Sequence, residues 1–395
     1  MCADKKVPDI RFKGFSHTWH NKEIGSILTD IRRPVELLDD ESYQLITVKR
    51  RNEGIVPRSI LKGKNILVKN YYGIKAGDYL ISKRQVVHGA NGIVPESLDN
   101  AVVSNEYLIV TDSDEITAKF WSVISKRPEM HKLFFISSYG VDIEKLVFDV
   151  SDWKNRTITI PDVAEQNAIT DHFQKLDSLI NQHQQKHDKL SNIKKAMLEK
   201  MFPKPSETVP EIRFKGFSGE WEEIRLGDLV EITMGQSPSS INYTNNPNDF
   251  VLVQGNADLK NGFVVPRVWT SEVTKTATRG TLIFSVRAPV GEVGKTNYNV
   301  VLGRGVAAIY GNEFLYQQLK KLKSDNYWSK VSSGSTFDAI SSSELASTLI
   351  WCPNESEQIA IGNYFQKLDE LINQHQQQIT KLNHIKQACL SKMFI

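Results

Sequence analysis

The chain has 395 residues, 49 lysines and arginines against 46 aspartates and glutamates, and a formal net charge of +3. That length predicts two or three domains, each able to bury its own core, and the near balance of charge neither requires nor excludes a nucleic-acid partner, because basic groups can still gather on one face. The opening MCADKKVPDI lacks the apolar run of a secretory leader, no long apolar stretch suggests a membrane span, and the scattered Cys2, Cys352 and Cys389 suit neither a disulfide framework nor a zinc knuckle, so the expected setting is a reducing cytoplasm.

In chain order, the first predicted feature is PDIRFKGFSHTWHNKEIGSIL, starting at Pro8, with Trp19 as a core anchor. The runs YQLITVKRR, GDYLISKR and NEYLIV follow as strands, separated by glycine, asparagine and proline, and ITAKFWSVIS reads as a helix. Pro161 then introduces a long segment, EQNAITDHFQKLDSLINQHQQKHDKLSNIKKAMLEKMF, in which Ile169, Leu176, His183, Leu190 and Met197 recur every seven residues. Ile180 and Leu179 add adjoining positions. A linker, PKPSETVP, cannot continue the helix.

The chain then repeats itself. PEIRFKGFSGEWEEIRLGDLV starts at Pro210 and carries Trp221; DFVLVQGN, GTLIFSVRAPVGEVG and VAAIY read as strands and EFLYQQLKKL as a helix. After Pro353 comes EQIAIGNYFQKLDELINQHQQQITKLNHIKQACLSKMF, most of it identical to the first long segment, with Ile361, Leu368, His375, Leu382 and Cys389 in the corresponding seam and Ile372 beside it. The regions between these repeats share little. The expected organisation is a first head over 1–160, a helix over 161–202, a linker over 203–209, a second head over 210–352 and a second helix over 353–395.

The fold class expected is α+β: two globular heads of mixed α/β structure joined by two long helices in an antiparallel coiled coil, related by an approximate two-fold axis. At about 1.5 Å per residue each helix would reach roughly 55–60 Å. The pairing residues would be Leu176, Ile180, His183 and Leu190 with Leu368, Ile372, His375 and Leu382. In full register His183 and His375 would meet midway, as a polar layer fixing register, as exposed side chains, or as a metal site; the last lacks cysteine or paired carboxylates nearby.

Two motifs invite an enzymatic reading. GEVGKT, Gly291 to Thr296, ends like a phosphate-binding loop, but Pro289 stands where that loop needs glycine, so a glycine-punctuated hairpin is expected. NNPNDF, Asn245 to Phe250, is a poor match to the loop of amino-methyltransferases and has no glycine-rich cofactor loop beside it. No nucleophile set, metal-ligand spacing or nuclease carboxylate pair stands out. Basic and amide residues instead collect at strand ends: Lys49, Arg50, Arg51, Lys83, Arg84, Gln85 and His88 in the first head, and Gln236, Gln254, Asn256, Arg287, Lys295 and Arg304 in the second. Such side chains can read base edges or hold phosphates.

The head–helix–head–helix duplication, EQxAI…FQKLDxLI in both helices, and GQSP with RAPVGEVG in the second head make the chain resemble the DNA-specificity subunit of type I restriction–modification systems. SKRQVVHGANGIVP, in the comparable part of the first head, departs from the pattern. The resemblance implies that each head is a target recognition domain for one half of a split, asymmetric DNA sequence. The helices would set the spacing and dock two modification subunits, which carry S-adenosylmethionine and methylate adenine, while a restriction subunit uses ATP with magnesium. The chain itself would be non-catalytic, with no cofactor or metal of its own. The rival readings are a protein-binding coiled-coil scaffold with two adaptor heads, and a P-loop or methyltransferase enzyme.

Overall fold

The structure, a computed structural model, describes residues 7–68, 70–204, 206–331 and 339–395. Cys2 and, in the expected linker, Pro205 lie outside them. The fold is mixed helix and sheet. It divides into two compact units, one holding residues up to His183 together with Gln378–Ile395, the other Gln184–Gln377. Each unit therefore contains one head and a piece of both long helices. Among the described residues no helix is long and apolar enough to cross a membrane.

The units share a plan. In the first, strand His20–Glu23 pairs antiparallel with Thr157–Ile160 and runs into a one-turn helix, Ile24–Ile27. In the second, Glu222–Arg225 pairs antiparallel with Leu349–Cys352 and runs into Leu226–Leu229. Each repeated RFKGF segment thus leads into a strand that closes against the strand preceding a long helix. Between these points the heads differ. The first has a five-stranded sheet, in which Ser42–Val48 and Ile55–Lys62 form a hairpin, and a four-stranded sheet with Tyr107–Thr111 and Tyr79–Ser82 at its centre. The second has sheets of six and five strands. The predicted helices stand at Ala118–Ile124, where Thr117 accepts a capping bond from the Phe120 N–H, and at Glu313–Ser324, capped by Asn312.

Trp19 and Trp221 are buried, as expected of anchors. Around Trp19 lie Phe120, Phe173 and Phe394; around Trp221 lie Phe202, Phe314 and Phe365. Phe394 and Phe202 end the two repeats KMF, so the apolar plug of each core comes from the terminus of the long helix that does not begin in that head. The same helix ends are capped by the repeated arm: the Ile10 N–H donates to the Lys392 carbonyl at 3.0 Å, and the Ile212 N–H to the Lys200 carbonyl at 2.8 Å. Backbone donors from the arm thereby satisfy carbonyls that a helix terminus leaves unpaired.

The long helices are Val163–Lys200 and Glu355–Lys392. Asp162 and Asn354 accept bonds from the N–H groups of Glu165 and Glu357, at 2.8 and 3.0 Å, and fix the starts. Inside the first unit Asp177 meets Lys386 while Phe173 packs on Phe394, so the helix segments run antiparallel; inside the second, Asp369 meets Lys194 while Phe365 packs on Phe202. Leu176 and Leu368 are buried; Leu382 packs against the first core and Leu190 against the second. Ile180, His183, Ile372 and His375 are each half-buried.

One expectation changes. Leu179 is 40 % exposed, because Leu176, Ile180 and His183 share one face and Leu179 stands at its edge. Within each unit the KMF terminus docks into the head, where Phe394 and Phe202 bury large aromatic side chains.

Candidate nucleic-acid interface

The two repeated sequence blocks are fastened together by charge in each unit. Arg11 of the first RFKGF grips Glu165 of the first long helix through two parallel bonds of 2.6 Å, and Arg213 grips Glu357 in the same way. Glu165 is 1 % and Glu357 0 % exposed. The hydrogen bonds to these carboxylates, foremost among the causes, hold both guanidiniums above the ordinary arginine pKa. The Trp19 indole N–H adds a 3.2 Å bond to Glu165. This geometry orients each head on its helix.

A second polar joint repeats deeper along the helices. Asp369 accepts from Lys194 at 2.6 and 2.7 Å and from Gln317 of the head at 2.9 Å. Burial, followed by the charge of Lys320, pushes Lys194 down to about 8. Burial pushes Asp369 upward, but Lys194 and Lys320 outweigh it and leave that carboxyl below its ordinary value. Two cations share one carboxylate, so the carboxylate is the stabilised partner and Lys194 the strained one. In the first unit Lys386 and Lys126 share Asp177, and burial, then Lys386, lowers Lys126.

In the first head, the chain turn at Lys49–Gly54 places Arg51 and Asn52 at positive φ, 59° and 56°. Their N–H groups bond to the carbonyls of His88 and Gly89 at 2.7 and 2.9 Å. The two predicted clusters, Lys49–Arg51 and Lys83–His88, are thus brought together. Much of their charge is already engaged. Arg50 pairs with Glu144 at 2.6 Å, His88 lies 3.5 Å from the same carboxylate, Arg84 pairs with Glu106 at 2.7 Å, and Lys49 reaches Glu53 at 4.0 Å. The side-chain carbonyl of Gln85 is buried, without a hydrogen-bond partner, so this residue faces inward. Arg51 is exposed.

In the second head four chain segments cross at close range. Gly235 N–H bonds to the Val306 carbonyl at 3.0 Å, Gln236 N–H to Leu302 at 2.8 Å, Gly303 N–H to Val253 at 2.7 Å and Val286 N–H to Gly305 at 2.9 Å. Glycine makes the crossing possible: a Cβ on Gly305 would run into the Gln254 carbonyl, and one on Gly235 into that of Gly303. The crossing gathers Gln236, Gln254, Arg287 and Arg304 at one end of the sheets, all exposed and with no side-chain partner among the described residues. Asn256 follows on a short turn whose Asp258 carboxylate accepts the Gln254 N–H at 2.7 Å.

Lys295 does not join them. It lies on Val293–Lys295, the return strand of a hairpin with Leu282–Ser285, and is spent on an ion pair with Glu313 and on the Tyr316 ring 4.6 Å away. The Gly-Lys-Thr is therefore part of a hairpin, as its proline suggested. Among the described residues no cluster of histidine, cysteine, aspartate and glutamate could hold a metal ion.

Residues 218–384 match the family described as "Type I restriction modification DNA specificity domain". The putative type I restriction enzyme MjaX specificity subunit of Methanocaldococcus jannaschii is 29% identical over 230 residues, 55% of this chain and 54% of that protein. The second half of the chain thus carries the type I DNA specificity domain. The chain's match spans only about half the length of that curated relative, 54%. Two solved structures share the fold along nearly the whole chain. One is the type I restriction-modification system S subunit from M. genitalium, with a TM-score of 0.59 at 16% identity, covering 98% of this chain and 99% of that one. The other comes from a study of complex assembly and conformational transition in the type I R-M system, with a TM-score of 0.51 at 22% identity, covering 95% and 97%. Within this chain the two Arg–Glu junctions are alike while the heads diverge.

Proposed function

We propose that this chain selects DNA sequence for a type I restriction–modification complex, each head reading one half of a bipartite, asymmetric target. The observation that carries the reading is the crossing in the second head. Four amide and guanidinium side chains, unpaired among the described residues, converge there on a backbone frame that only glycine allows. Arginine suits the guanine edge and glutamine the adenine edge in the major groove.

The long helices set the gap between half-sites and dock two modification subunits, which bind S-adenosylmethionine and methylate adenine. A restriction subunit supplies the ATP- and magnesium-dependent step. The chain itself contributes recognition and no chemistry, in the cytoplasm. Nearly identical helix sequences suit two copies of one partner, and dissimilar heads suit two unlike half-sites.

Methylation sequencing of a host carrying this gene and its partner genes tests the reading. Replacing residues 222–352 with the corresponding part of a relative should change one half-site and leave the other intact. A target that changes in both halves, or in neither, would refute it.

A further inference from the structure

The first head has a cleft that joins Lys83 and Arg84 of its predicted basic clusters to arginines outside them. It opens on both sides of Tyr107. One cavity, about 210 Å³, is lined by Arg32, Lys83 and Tyr72. The other, about 250 Å³, is lined by Arg58, Tyr71 and Arg84 at its rim. Arg32 and Arg58 are exposed and have no carboxylate partner among the described residues. The carboxylates nearby, Asp30 and Glu106, are paired with Lys154 at 2.6 Å and Arg84 at 2.7 Å, and their charge offsets only part of the burial and repulsion at Lys83. Lys83 keeps its ammonium in place by donating to the Asn105 carbonyl at 2.7 Å. Burial, and after it the positive charge of Arg32, lowers the Lys83 pKa.

Two cations held together without a free counter-charge repel each other, and an anion between them removes that cost. Arginine matches phosphate with a planar fork, and tyrosine rings offer a flat face to sugar or base. We propose that the cleft seats a nucleic-acid phosphodiester backbone, Arg32 with Lys83 taking one phosphate, Arg58 a second, and the Tyr107 ring lying between them. The assignment rests on the reading of the heads as DNA-binding, and it makes this cleft a positioning surface, distinct from base selection.

The test uses the full chain with the subunits that accompany it, and measures affinity for a duplex holding the methylated target and for an unrelated duplex over a range of salt. Arg32→Ala with Arg58→Ala should weaken both duplexes by the same factor. The slope of log affinity against log salt should become shallower by about 0.9 for each phosphate that is no longer neutralised. Arg32→Lys should restore most of its share, and all variants should keep the thermal midpoint of the parent. An unchanged slope and affinity in the double variant, with the parent still binding its target, would overturn the cleft alone. Weakening confined to one sequence would make these arginines base readers and overturn the backbone assignment. Saturable binding of inorganic phosphate, lost in the double variant while duplex binding is kept, would give the cleft to a small anion instead. A parent complex that binds neither duplex would overturn both this assignment and the reading beneath it.

Discussion

The two heads hold their helices in the same way and present their polar side chains differently. At the junctions, Arg11–Glu165 and Arg213–Glu357 have matching geometry down to 2.6 Å bonds. At the expected reading surfaces, the second head shows exposed Gln236, Gln254, Arg287 and Arg304, without side-chain partners among the described residues, while in the first Arg50 and Arg84 are matched by Glu144 and Glu106. Duplication kept what attaches a head and released what a head displays. If that division holds, junction mutations should act alike in both units and surface mutations should not.

The largest effect belongs to the junctions. Arg11→Ala and Arg213→Ala each leave a fully buried glutamate uncompensated, which costs about 3–5 kcal/mol. Denaturant melts with hydrogen exchange on each unit should show comparable losses, each confined to its own head and helix start. A loss below about 1 kcal/mol in either would break the equivalence.

Next comes the contrast at the surfaces. Arg304→Ala should cost about 1–3 kcal/mol of discrimination at one half-site. Arg50→Ala, which removes a residue already paired in solvent, should cost under about 1 kcal/mol and leave sequence preference intact. Quantitative binding to targets altered in one half at a time reads both. Equal effects would erase the difference between the heads.

Much of this frame was legible in the sequence, and the limits have physical causes. Strands, helices and the proline-marked hairpin follow from local pattern, and the repeats gave the order of parts. Arg11 and Glu165 both lie inside repeated blocks, so their joint survival was a signal that they meet. The neutralisation of Arg50 was not legible, because Glu144 arrives from a distant loop. Arg32, Arg58 and Tyr107 were missed for the same reason: they are far apart in sequence, Arg32 on a connection and the others on strands of different sheets, and become neighbours only in the fold. Lys295 looked free because its partner, Glu313, lies on a helix that follows two further strands.

The lysine joints test the comparison by pH. Lys194 titrates near 8 when folded against an ordinary value of 10.5, so between those values the unfolded chain holds more protons. Stability of the second unit should therefore rise with pH across that window, by less than about 1.4 kcal/mol per pH unit. Lys194→Met should flatten the rise. Lys126, lowered for the same reasons, should give the first unit a slope of the same sign, which Lys126→Met removes. Melts of each variant from neutral to alkaline pH decide; a stability that falls as Lys194 discharges would contradict the burial argument.

The smallest effect is also the sharpest on the first head. Glu144 accepts from Arg50 at 2.6 Å and lies 3.5 Å from the His88 ring, both within the cluster expected to meet DNA. Glu144→Gln keeps the size of the side chain and removes the charge that neutralises Arg50. If the cluster faces the duplex, the freed arginine should tighten binding to any sequence by about 1 kcal/mol or less, with a steeper salt dependence. The gain should disappear in the Arg50→Ala background, because the glutamate acts only through its partner. A gain that persists without Arg50 would mean that Glu144 repels the duplex directly. No change in either background would place this turn, Arg51 included, away from the DNA and leave backbone contact by the first head to the Tyr107 cleft.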